Sequence, residues 1–160
     1  MHTEFIQQYD HIWRVFAELV RTFDADAWLH TGRDATTPAR LSLHILQSTK
    51  YYLEDVSELM FASGKPFDCN SMTTPNADLP SQNDILDCIE TFRGKTECWL
   101  AEMDYASTEH PFDWAGATRL GVALFLLKHS VYHLGELSSL LNESKHGEAE
   151  DIYVKALNQP

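Results

Sequence analysis

The sequence predicts an all-α protein, built as a four-helix bundle, and three observations carry that expectation. Apolar residues recur in steps of three and four over four long segments, the pattern of amphipathic helices. No segment alternates apolar and polar residues as a strand would. The chain has 160 residues, enough to bury one core without disulfide or metal staples. A single domain over residues 1–160 is therefore expected, with four helices burying their apolar stripes against one another.

The first helix is predicted over 3–23, where Phe5, Tyr9, Ile12, Phe16, Leu19 and Phe23 share a stripe that Ile6, Trp13 and Val20 widen. His11 falls off that stripe and is expected in solvent. Residues 24–37 are polar, contain Gly32, and read as a connection. Thr37 and Pro38 make a start signal for a second helix over 38–62, with Leu41, Ile45, Ser48, Tyr52, Val56 and Leu59 on one face and His44 at its edge. Residues 63–80, with Gly64 and three prolines, form a long connection, read either as a lid or as a span between distant helix ends. Ser81 and Asp84 resemble a capping box opening a third helix over 82–105, on which Cys88 is core and Gly94 faces outward. A loop over 106–117 precedes the fourth helix, 118–143, and the tail offers a last turn around 152–157.

Composition excludes several functions. Twenty-four acidic residues against 12 basic ones give a net charge of −12 with no basic stripe, so nucleic acid is not an expected partner. No apolar run approaches the ~20 residues of a membrane span, and the N-terminal stretch lacks a signal-peptide pattern, so a cytoplasmic protein is expected. Cys69, Cys88 and Cys98 are odd in number, lack Cys-x-x-Cys spacing, and read as reduced thiols. Phe5, Trp13, Tyr51 and Tyr52 exceed what one stripe needs, which leads us to expect a homodimer.

His129 and His133 are the most informative pair. Four residues along a helix is about 6 Å of rise and roughly 40° of turn, so both imidazoles leave one side. Their neighbours include Leu126, Leu137 and Leu141, and a buried histidine needs a hydrogen-bond partner or a metal. Ser130 stands where the zinc-protease motif has its glutamate, so that motif is absent. A di-iron carboxylate site is also absent, because only Glu143-Ser144-Lys145-His146 has the Glu-x-x-His spacing. Histidines at this spacing also occur as ordinary core residues, so a third ligand matters. His44 is the histidine on another periodic helix that lies near its apolar face. Gly135 suggests a close helix approach. Glu136, on the same side, could accept a hydrogen bond from a ligand histidine or make an inter-helix bond.

Leu43-His44-Ile45-Leu46-Gln47-Ser48, followed some 80 residues later by Lys128-His129-Ser130-Val131-Tyr132-His133-Leu134-Gly135-Glu136-Leu137, resembles the DinB/YfiT-like metalloenzyme superfamily. The likeness extends over nearly the whole chain: its length, four helices, a long middle connection and all three histidines. It implies an up-down-down-up bundle with one divalent metal ion (zinc, nickel, iron or manganese) on His44, His129 and His133, consistent with a three-histidine site that keeps an open position. It further implies a metal-dependent transferase joining a low-molecular-weight thiol to a small-molecule substrate, in detoxification or stress response. A hydrolase using metal-bound hydroxide and a non-enzymatic metal- or partner-binding bundle are the other readings. Asp113 and Trp114 are candidates to line the site's mouth. A thiol's carboxylate needs a cation, for which Arg119, ten residues before His129, is the candidate; its other reading is a surface ion pair.

Overall fold

The computed structural model describes residues 2–33 and 36–157. Met1, the two residues 34–35 within the expected 24–37 connection, and 158–160 of the tail lie outside the described residues. The described chain is all-α: α1 (His2–Thr22), α2 (Ala25–His30), α3 (Pro38–Tyr52), α4 (Gln82–Glu102), α5 (Arg119–Ser144) and α6 (Ile152–Leu157). Single 3-10 turns at Asn76–Asp78 and Asp113–Ala115 punctuate the connections.

The four long helices touch in a closed ring, α1 to α4, α4 to α3, α3 to α5 and α5 back to α1. At one end of α1, His2 Nδ1 meets the Ala101 carbonyl at 3.0 Å; at the other, Gln82 Nε2 donates to the carbonyls of Val20 and Phe23. α1 and α4 thus run in opposite directions. Tyr9 donates to the Ala123 carbonyl at 2.6 Å, while Leu19 shares a groove with Leu134 and Ser138, so α1 and α5 run the same way. His44 lies against His133, and Tyr52 against Phe125, so α3 runs opposite to α5. Phe16, Leu43, Leu46, Phe67, Ile85 and Phe92 fill the space between, each at most 0% exposed. No described helix is long and apolar enough to cross a membrane.

Four expectations need correction. The second helix ends at Tyr52 rather than near residue 62. Glu54 adopts φ 55°, its N–H bonds the Tyr51 carbonyl, and Asp55 N–H reaches back to Lys50, which together close a Schellman-type cap. Val56, expected on the core face, is consequently 95% exposed. The 24–37 connection holds a helical segment, α2, whose Trp28 is buried and donates to the Pro80 carbonyl at 3.0 Å. His11 is buried, not in solvent: α6 packs on α1 and sets Tyr153 edge-on against the ring at 4.7 Å. Gly135 faces open space; the close approach belongs to Gly121, where a Cβ would stand 2.5 Å from the Ala115 carbonyl oxygen.

The 63–80 connection is fastened rather than free. Buried Arg40 donates to the carbonyls of Ser71 and Thr74 and to Asn76 Oδ1, and Gln47 Nε2 donates to the carbonyls of Phe67 and Cys69. Asp84 completes the expected capping box with Ser81 and accepts from Ser63, tying the loop to the start of α4. Of the four aromatics behind the homodimer expectation, Trp13 and Tyr52 are buried, Phe5 is half-buried and Tyr51 alone is exposed. Cys88 is half-buried, and burial, with Asp84 and Asp87 nearby, pushes its thiol up to about 11.

Candidate metal centre

Thr37 and Pro38 start α3 so that Leu41 and Ile45 enter the core, which leaves His44 at the helix edge facing α5. On α5 the core positions are Leu126, Ser130, Leu134 and Leu137, and His129 and His133 lie beside them on the α3 side. Ring centroids are 5.3 Å apart for His44 and His129, 4.7 Å for His44 and His133, and 4.5 Å for His129 and His133. One nitrogen from each ring lies within 4.8 Å of the others.

The protons follow from the partners. His133 Nδ1 is 2.6 Å from Glu136 Oε2, a contact in which the ring N–H donates to the carboxylate, so a neutral His133 has a bare Nε2. That Nε2 faces His129 Nε2 at 3.2 Å. Two nitrogens bound to one ion at 2.0–2.1 Å with tetrahedral angles stand about 3.3 Å apart, so the pair already has the spacing of two ligands. His129 Nδ1 is buried without a partner. If Nδ1 carries the ring proton, two lone pairs face each other and a cation between them resolves the contact.

Electrostatics disfavours the charged form of two of the rings, His44 and His129. Burial, reinforced by His133 and His44 and opposed by Glu136, lowers His129 to about 4. Burial and His133 likewise lower His44, again against Glu136. Neutral imidazole is the metal-binding form, so protons compete little for the His44 and His129 nitrogens near pH 7. On spacing, protonation state and the bracing of His133, the residues present fit a divalent ion.

Arg119 begins α5, where its Nε donates to the Glu109 carbonyl at 2.9 Å. Ten helical residues are about 15 Å of rise, so the structure does not bring this side chain to the imidazoles directly. Trp114 is exposed and its indole N–H donates to Tyr52 Oη at 3.0 Å; Asp113 is exposed beside it. Sequence reasoning missed the ring system around the site. Phe125 stacks near-parallel to His129 at 6.4 Å, and Tyr52 lies 6.3 Å from the same ring. A signal existed, since Phe125 precedes His129 by four residues, one helical turn on the same face.

Comparison with protein-family models, with curated proteins and with solved structures finds no match to this chain.

Proposed function

We propose that the chain is a DinB/YfiT-like metalloprotein, a four-helix bundle in up-down-down-up order that binds one divalent ion on His44, His129 and His133. The closed ring of helix contacts and the pairwise directions support that topology. The observation that carries the metal reading is the convergence of three imidazole nitrogens from two helices within 4.8 Å. We extend the proposal to a transferase for a low-molecular-weight thiol. When bound, a divalent ion held by three neutral imidazoles keeps its full charge and an open position, which favours ionisation of a thiol or water there.

The protein's own residues set the conditions. Glu136 fixes the ring orientation of His133 through Nδ1–H and makes Nε2 the better donor. Tyr52 and Phe125 exclude water from one side of the site. Arg119 is the cation proposed for a thiol's carboxylate, which suits an extended thiol that spans the distance along α5. In the transfer the thiol loses its S–H proton, sulfur bonds to the electrophilic carbon, and the leaving group departs with its electron pair and that proton.

Reloading the metal-free protein with cobalt(II) is expected to give about one ion per chain by elemental analysis. Each of His44→Ala, His129→Ala and His133→Ala should weaken uptake by more than about 100-fold. Full occupancy in His129→Ala overturns the ligand assignment. Conjugation of a panel of biological thiols to 1-chloro-2,4-dinitrobenzene should fall on metal removal and in His133→Ala. Equal rates in all three preparations overturn thiol transfer while leaving metal binding intact.

A further inference from the structure

Most aromatic side chains of this protein are buried or half-buried. Among the described residues four are exposed: Tyr51 at 56%, Trp114 at 57%, Tyr132 at 65% and Tyr153 at 56%. Three of the four belong to one ring network that includes the candidate ligands. Tyr132 meets the His133 ring edge-on at 5.1 Å. Tyr51 packs on Tyr52 and on Phe112, at 5.4 and 5.2 Å. Trp114 lies 5.8 Å from Phe112, which is itself 5.0 Å from Tyr52. From His129 the rings thus continue through Phe125 and Tyr52 to Trp114 without an aliphatic break.

Loop anchoring explains only part of this arrangement. Phe112 and Tyr52 are buried and suffice to seat the 106–117 loop. Trp114 keeps more than half of its surface in solvent, yet it is held in place. Its indole N–H is bonded to Tyr52 Oη, and the backbone beside it is fixed by the close approach of Gly121 to Ala115. The N–H groups of Arg119 and Leu120 bind the carbonyls of Ser107 and Tyr105, which pins the loop's other end. A rigid, exposed indole presents a π face to solvent at no further ordering cost, as aromatic recognition surfaces do. Lys128, also on α5, places its ammonium 4.6 Å from the Phe125 centroid.

We propose that the exposed indole of Trp114, backed by the ring chain through Tyr52 and Phe125, selects ligands bearing a planar aromatic group, whose polar head lies at His44, His129 and His133. The substrate class of the site is then an aromatic or conjugated electrophile rather than a small aliphatic one. This inference rests on the metal-centre reading given above. The two are separable, because metal uptake and ring preference are read independently.

The probes are three hydroxamates that share one metal-binding head: acetohydroxamate, benzohydroxamate and 2-naphthohydroxamate. Binding to cobalt(II)-loaded protein is followed by the visible cobalt spectrum, with no turnover required. Affinity is expected to rise from methyl to phenyl to naphthyl, by about 10-fold or more over the series. Trp114→Ala, at an exposed position, should reduce that ratio to about 2-fold or less without lowering cobalt content. Phe125→Leu serves as the second variant and should act in the same direction. Equal affinity for all three probes in the loaded wild type overturns this inference alone, as does a ratio unchanged in both variants. Failure of the wild type to take up cobalt overturns the metal-centre reading, and this inference falls with it.

Discussion

The charged and amide groups that bridge α1 and α4 are paired at the rim of that seam, while the buried indole nitrogen of Trp13 on α1 is left without a partner. Asp10 takes both Arg14 and Arg93, and Gln82 takes the carbonyls of Val20 and of Phe23 just beyond α1. On the other side of the ring, α3 and α5 meet through three imidazoles, one of which keeps a buried nitrogen without a partner. An unmatched buried polar atom costs about 1–3 kcal/mol, and apolar residues of similar shape would serve folding better. The contrast teaches where to look for function. One seam joins its helices through paired charges and a single isolated indole nitrogen, and the other gathers three ionisable rings at one place.

The largest effect expected from dividing the molecule this way lies in the α1–α4 half. Phe92 is fully buried, and Phe92→Ala should destabilise by about 3–5 kcal/mol in denaturant unfolding. Its folded fraction should still bind cobalt with unchanged stoichiometry; a loss of binding would show that the two seams are not separate. Glu136→Gln is expected to do the reverse. It should weaken metal binding by about 10–100-fold in competition titrations and leave denaturant stability of the metal-free protein nearly unchanged. An unchanged affinity would show that the contact with His133 does not tune the site.

A third test uses acid on the metal-free protein. His44 and His129 have lowered pKa values in the folded chain, His129 to about 4, whereas the unfolded chain takes up these protons near 6.5. The unfolded state therefore binds more protons between those values, and stability should decline as pH falls from about 6.5 to about 4. His129→Asn should flatten that decline, and Phe92→Leu, in the other seam and without a titratable group, should not. An identical pH slope in wild type and His129→Asn would break the comparison. The smallest effect belongs to the cap of α3. Glu54→Gly relieves a non-glycine residue at φ 55° and should raise stability by up to about 1 kcal/mol, with metal affinity unchanged. A loss of stability there would show that the Glu54 side chain matters more than its backbone.

Helix positions and the histidine pair were legible in the sequence because they rest on spacing alone. Phe5 to Phe23 gives a stripe, and His129 and His133 share a face whatever surrounds them. His44 needed its helix edge and the family resemblance to be singled out. What escaped was one local cap and several long-range contacts. Glu54 stops α3 without the glycine that usually marks such a cap. Arg40 sits between Ala39 and Leu41 like a solvent-facing cation, yet it is spent on a loop more than thirty residues away, at Ser71, Thr74 and Asn76. His11 read as exposed because its cover, Tyr153, arrives from the far end of the chain. Gly135 and Gly121 look alike in sequence, and only the neighbouring backbone at Ala115 tells them apart.

The ring of contacts also orders events in time. α1 touches α4 and α5 but is not among the close partners of α3, the next long helix. During synthesis its apolar stripe, with Phe16, Leu19 and Val20, therefore waits for partners encoded some 80 residues later. At 5–20 residues per second that wait is roughly 4–16 s. Over that interval the nascent chain carries an unmatched amphipathic helix, a state that invites chaperone capture or off-pathway association. Moving α1 to the C-terminus by circular permutation would let it emerge after α4 and α5. The permuted chain should then give a higher soluble yield at the same final stability.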